Sequence, residues 1–372
     1  MSNAKIRFTR YLADLPDPRA DRTKWHRLDD ILVIALCAVI CGADSFDEIE
    51  RFGKARYDWL KGFLTLPKGI PSHDTFNRVL AALDRDQFSA CFARWMTDLC
   101  AATGLRVIAL DGKACRAAPA DTFSGCLHLV NAWAVENRLF LGQVAVADGS
   151  HEIAAMPELL KVLDLNGALV TMDAAGCQKE ILRQIRQQGG DYLVAVKGNQ
   201  PALQRAVHAA FERAGEAAFA GCPTAAAVED GHGRHEERYV TVIRDPEGLP
   251  GEWVGVGAVV MVGREREVGG VNTSTTHWYL TSLRCSAEEL AGYIRGHWGV
   301  ENGLHWCLDV TFREDANRTR NPNAGANLGV VRRVAASLLQ QDTGKGSLKA
   351  KRLNAALDPK YLERVLQGFQ AN

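Results

Sequence analysis

Between residues 106 and 197 the hydrophobic pattern alternates between the two-residue period of strands and the longer period of helices, and this order restricts the fold more than any other feature of the chain. "RVIAL" is a short apolar run reaching Asp111, while "CLHLVNAWAV" and "LFLGQVAVA" are strand-like runs whose connecting turn "ENR" predicts a hairpin. The helical stretch "AAMPELLKVLDL" follows, then the apolar strand "GALVTM" ending at Asp173. Next come the helix "CQKEILRQIRQQ", closed by Gly189 and Gly190, and the strand "YLVAV" running into "KGNQP". Strand, hairpin, helix, strand, helix, strand implies an α/β fold with a mixed sheet flanked by helices.

The flanking regions differ from this core. Residues 28 to 103 read as helical throughout, with capping-box spacing at Ser45 and Glu48 and a helix start at Ser72 after Pro71, so residues 1–104 are expected to form a helical N-terminal domain. Residues 105–340 are expected to form the main domain, with 200–285 a strand-rich insertion broken by Gly and Pro. From Ser286 the helical spacing returns, with Ser286 and Glu289 as another capping box, which puts Glu301 on a helix. Residues 341–372 read as a basic C-terminal tail. From 316 to 352 eight cationic side chains, including Arg318, Arg320, Arg332, Arg333 and Arg352, stand against Asp342 alone.

Composition narrows the class. With 372 residues, 47% apolar and 24% charged, the chain can bury a sizeable core and is long enough for two or three domains. Forty-four basic residues balance forty-four acidic ones, so any anion site must come from local patches. The apolar run "ILVIALCAVI" is well short of the roughly 20 residues that span a bilayer and reads as a buried helix. The ten cysteines show no CxxC pair, which argues for a reducing compartment. "MSNAKIRFTRYLADLPDPRADR" lacks an apolar signal region, and the expectation is a cytoplasmic protein with no membrane partner.

Asp111 in "VIALDGK" and Asp173 in "LVTMDAAG" each follow a strand-like run, where a carboxylate can point into the crevice beside an open sheet. Taken singly, each is equally readable as a turn residue. Together with a third acid on a late helix they match the arrangement of RNase H-like nucleases, in which three acids hold two divalent cations for in-line phosphoryl transfer. Oxygen ligands suit magnesium or manganese.

The motifs "ALDGK", "HLVNAWAVENRLFLGQV", "TMDAAGCQKEI", "GGDYLVAVKGNQP", "GHGRHEER" and "HWGVENGLHWCLDVTFREDANRTR", in this order, resemble the insertion-sequence DDE transposases of the H-repeat-associated kind over nearly the whole chain. The resemblance implies an RNase H-like domain in which Asp111, Asp173 and Glu301 bind two Mg2+ (or Mn2+) ions. It implies a β-rich insertion between the second Asp and the Glu. It also implies a transposase that cuts and joins the terminal inverted repeats of its element and target DNA, as a homodimer on double-stranded DNA. The sequence departs from the Y-R-E-K signature of related enzymes: His297 stands where Arg is usual and Leu308 where Lys is usual. A two-metal nuclease without strand transfer, and a transposase-derived DNA-binding protein that no longer cuts, are the alternatives.

His297, Glu301 and His305 recur every four residues on one expected helix face, so both imidazoles could flank the scissile phosphate, with a zinc site or structural histidines as the other readings. Trp298 and Trp306 are readable as core anchors or as platforms for unpaired bases. Phosphate contacts are expected from Lys113, from Lys197 and Asn199 in "VKGNQ", from Arg234 and Arg238 in "GHGRHEER", and from Arg313, Arg318 and Arg320, for which a solvated face is the alternative. "SHDTFNRV" is readable as a recognition helix or as an ordinary capped one.

Overall fold

The computed structural model describes residues 9–101, 107–115, 127–135, 138–146, 152–231 and 233–367. The chain divides into two compact units. The first comprises residues 1–105, 112–155 and 300–372; the second, residues 106–111 and 156–299. Strand β1 (Val107–Cys115) is shared between them.

In the first unit the N-terminal helices are α1 (Thr9–Leu12), α2 (Leu28–Ile40), α3 (Phe46–Ala55), α4 (Tyr57–Lys61), α5 (His73–Ala82) and α6 (Arg85–Ala101). Every residue of α2 from Asp30 to Ile40 is buried. A helix apolar on all sides must be surrounded, and its neighbours include α3 and, from the far end of the chain, α11 (Pro322–Gln340), α12 (Leu348–Leu357) and α13 (Pro359–Leu366). The expected separate helical domain is therefore part of a larger body built around α11, whose residues 326–339 are all buried. The residues read as a basic tail form α12 and α13, which pack into this body. Phe88, Phe92 and Trp95 stack in succession along α6, which packs on the hairpin strand β3 (Leu139–Ala145), antiparallel to β2 (Leu127–Ala134). The capping boxes at Ser45 and Ser286 both form.

The second unit carries α7 (Glu152–Lys161) from residue 156 onward, β4 (Leu169–Met172), α8 (Lys179–Gln187), β5 (Asp191–Val196), α9 (Pro201–Glu216), β6 (Thr224–Gly231), β7 (Arg234–Arg244), β8 (Ala258–Val268), β9 (Val271–Thr281) and α10 (Ala287–Val300) up to Gly299. Strands β1, β4 and β5 run parallel, and all of β4 is buried, as strands covered on both faces must be. The sheet order is β3-β2-β1-β4-β5-β9-β8-β7-β6, a mixed, RNase H-like sheet flanked by helices. The strand-rich insertion is an antiparallel meander, β6 to β9, that continues this sheet: β9 pairs with β5 from Leu193↔Thr281 to Val196↔Trp278. Among the described residues no helix is long and apolar enough to cross a membrane.

Candidate active site

In the second unit, β1 and β4 are in register up to Leu110↔Met172, and Asp111 and Asp173 are the residues that directly follow this last pair. Neighbouring strands lie about 4.8 Å apart, which sets the two carboxylates on adjoining backbones. Asp111 is not at the end of its strand, as its sequence suggested: β1 continues to Cys115, and only its pairing with β4 stops there. Asp173 keeps an extended backbone (φ −71°, ψ −175°) and caps the short turn Ala174–Gly176, its Oδ1 accepting from the Ala175 amide at 2.9 Å. Gly176 in "DAAG" is required by that turn, since a Cβ there would lie 2.7 Å from Met172 Cβ. Both aspartates are half-buried.

His297, on α10, faces the same strand. Its Nδ1 lies 3.1 Å from the hydroxyl of Thr171, and Thr171 shares a face with Asp173 by the two-residue period of the strand. Burial pushes the His297 imidazole down to about 4, with Asp173 pulling weakly the other way, so the ring is neutral at pH 7. Lys197 and Asn199 are exposed in the loop after β5, and Asn199 Nδ2 donates to the Ala174 carbonyl at 2.6 Å, tying this loop to the turn that holds Asp173. Trp298 is 44% exposed, so it is not a core anchor. Its ring centroid lies 6.5 Å from that of His277 on β9. His277 is pushed down by burial and by Lys197 and Arg264 nearby.

In the first unit, Glu301 opens a π-helical turn, Glu301–His305, followed by a second, Cys307–Thr311. The side chain of Glu301 lies outside the described residues. The wider winding breaks the expected run of His297, Glu301 and His305 down one α-helical face. His305 has different neighbours from His297: burial, Arg333 and Lys113 push it down to about 4, against Glu314. Trp306 is 59% exposed and Leu308 fully buried, so neither the expected second anchor nor a cation stands there.

Lys113 is turned inward rather than toward solvent, because two acids of the same unit hold it. It pairs with Asp309 and, at 3.6 Å, with Glu314. Glu314 in turn receives Arg333 Nη1 at 2.6 Å, and Arg333 Nε donates to Asn131 Oδ1 at 2.8 Å. Arg332 and Arg352 are buried too, near Asp44 and backbone carbonyls. With Lys351, which is buried as well, four of the eight cations read from 316 to 352 are therefore structural. Arg313, Arg318 and Arg320 are exposed, Arg313 with a left-handed backbone (φ 49°) and 3.9 Å from Asp44. "SHDTFNRV" opens α5 with Ser72 as its cap, and His73 is held by Glu50.

Sequence reasoning passed over Glu152. A Cβ on Gly112 would fall 2.1 Å from Glu152 Oε1, so this carboxylate lies against the backbone immediately after Asp111, a place open only because residue 112 is glycine. Its signal was the pairing of "DGK" with an acid at a helix start. Among the described residues no group of three or more His, Cys, Asp or Glu side chains could hold a metal ion; the side chain of Glu301 is not among them.

Two family models match the chain: one described as DDE_Tnp_1-associated over residues 9–96, and one described as Transposase DDE domain over residues 102–338. The chain is 37% identical over 367 residues to the "H repeat-associated putative transposase YhhI" of Escherichia coli K12, covering 96% of this chain and 97% of that one. It is 38% identical over 364 residues to the "Putative transposase YncI" of Escherichia coli O157:H7, covering 96% and 93%. A shorter relative, the "Inactive transposase YbfQ" of Escherichia coli K12, is 41% identical over 71 residues, 19% of this chain and 84% of its own. Among solved structures, a cryo-EM structure of the piggyBac transposase synaptic complex with hairpin DNA matches at a TM-score of 0.39 and 10% identity, over all of this chain and 80% of that one.

Proposed function

Because the chain belongs to the family of transposases with a DDE domain, we propose that it cuts the ends of an insertion element and joins them to target DNA by two-metal-ion phosphoryl transfer. The observation that carries this reading is that Asp111 and Asp173 directly follow Leu110 and Met172, the last pair of two neighbouring parallel strands, with His297 against Thr171 of the second. The donor set fits hard cations: two half-exposed carboxylates on adjoining backbones, with Glu301 as the proposed third. Two magnesium or manganese ions held by these acids would activate the attacking oxygen and neutralise charge on the scissile phosphate.

The chain's own groups have separable tasks. His297 has Nδ1 committed to Thr171, so its Nε2 is left to orient water or a phosphate oxygen, as a neutral ring. Asn199 ties its loop to the Asp173 turn, and Lys197 of the same loop is exposed near His277. The exposed Arg313, Arg318 and Arg320 supply backbone contacts. Lys113 is left out of the DNA-contacting set because its charge is taken up by Asp309 and Glu314. The proposed partners are double-stranded element ends and target DNA, bound by a homodimer that holds two ends together, in the bacterial cytoplasm.

Cleavage of a duplex carrying the element's own terminal repeat, in magnesium, tests this reading. Wild type should cut at the end and Asp111→Asn should not; an Asp111→Asn protein that cuts like wild type removes the assignment. Pre-cut ends with a free 3′-hydroxyl, offered with plasmid, separate a transposase, which joins them, from a nuclease, which does not.

A further inference from the structure

The meander β6 to β9 sorts its charges by face. Residues paired across strands point to the same side of a sheet, and neighbours along a strand to opposite sides. On one side, β7 places Arg234, Glu236 and Arg238, and their partners on β8 are Arg266 opposite Glu236 and Arg264 opposite Arg238. Glu229 of β6 lies opposite Glu236 on this same side, and Arg295 of α10 reaches it. Five guanidiniums thus share a face with two carboxylates. The other side carries Asp230, Glu237, Glu265 and Glu267 around His235.

The basic face is organised from within. Glu236 is completely buried, although its neighbours on this end of the strand, Arg234 to Tyr239, are half-buried or exposed. It binds Arg264 Nη2 at 2.7 Å, approaches Arg234 Nε at 3.6 Å and pairs with Arg238. Burial would raise the Glu236 carboxyl, but Arg264, Arg238 and Arg234 outweigh it and hold it ionised. Arg264 and Arg238 are directly opposed across the strands, where two like charges would repel unless an anion lay between them. Each of the three arginines bound to Glu236 remains 25–39% exposed, with donors left for another anion. The face also leads toward His297: His277 of β9 opposes Val262 on the same side, lies near Lys197 and Arg264, and has its ring centroid 6.5 Å from that of Trp298, one residue from His297.

We propose that this face of the meander is a preorganised binding site for consecutive phosphates of a nucleic-acid backbone, with Glu236 as the positioning residue that fans out Arg234, Arg238 and Arg264. The acidic face points away from the backbone and fixes which side of the sheet DNA can approach. This inference rests on the proposed DNA-processing role and adds to it Glu236, Arg264, Arg266 and Arg295.

The decisive variant is Glu236→Gln, measured for binding to a short duplex in EDTA, where cleavage plays no part, across a series of salt concentrations. If the arginines acted only as summed charge, removing a negative group would tighten binding and steepen the salt dependence. Preorganisation requires the reverse: affinity falls by about tenfold and the log-log salt slope flattens by about two. Tighter or unchanged binding by a folded Glu236→Gln protein overturns the proposal. Should that variant fail to fold, Arg264→Gln at a partly exposed position tests whether the face binds at all, an unchanged affinity overturning the proposal, with Glu265→Gln on the acidic face as the control expected to bind no more weakly than wild type. Wild type that binds duplex through this face but never cuts element ends defeats the proposed function and leaves the face standing. Cutting by wild type together with normal binding by Glu236→Gln and Arg264→Gln does the opposite.

Discussion

Nδ1 of His297 lies 3.1 Å from the hydroxyl oxygen of Thr171, which fixes the ring beside the strand that leads into Asp173. Both His297 and His305 are pushed from 6.5 to about 4 by burial. The unfolded chain, with ordinary imidazoles, takes up protons that the folded chain refuses. Stability from this source is whole above about pH 6.5 and is lost as pH falls toward 4. Melting of the metal-free protein should show Tm falling between pH 7 and 5, and less so in His297→Asn and His305→Asn. A flat wild-type profile in that window would contradict the burial of both rings.

Asp173 has two tasks that substitution can separate. Asparagine can still accept from the Ala175 amide, whereas alanine loses the cap at a cost of about 1 kcal/mol. Asp173→Asn should unfold at nearly the wild-type urea midpoint and Asp173→Ala earlier, with both inactive in end cleavage. Equal midpoints for the two would show that the cap contributes nothing.

The ions around Glu314 bear on folding rather than on DNA. Removing one member of a buried pair strands the others, at about 3–5 kcal/mol, so Glu314→Gln and Lys113→Met should be strongly destabilised in urea. Gly329→Ala should also destabilise, by about 1–3 kcal/mol, since its Cβ would lie 3.0 Å from Arg333 Nη1 and 3.2 Å from Glu314 Oε1. Wild-type midpoints for all three would mean that this network does not contribute to stability.

Arg318 and Arg320 are exposed, so replacing both with Gln should leave Tm unchanged and flatten the salt slope of DNA binding by about one or two units on every sequence alike. A loss confined to the element's own repeat would show base reading instead.

Much of this was legible in the chain. The alternation of periods between 106 and 197 set the order of elements and a mixed sheet, but not that the strands before Asp111 and Asp173 are parallel neighbours, which only the pairing shows. The Ser286 capping box located the start of α10. Charge was harder to read, because sequence lists cations without saying which acids meet them. Arg332 and Arg333 looked like part of a basic segment until Asp44 and Glu314, distant in sequence, proved to be their neighbours. The two faces of β7 were visible as alternation in "RHEER", but the role of Glu236 needed the register with β8, which no single strand records. Trp298 and Trp306 misled because hydrophobicity predicts burial only on average.

The π-helical winding at Glu301–His305 has a consequence for how such a chain can decay. A π turn is an α-helix holding one surplus residue. Loss of that residue restores ordinary winding and leaves the flanking helices in phase, where the same deletion in α11 would rotate a buried face by about 100°. A chain lacking Gly303 should therefore still melt cooperatively. At this turn the loss of one codon is compatible with a folded product.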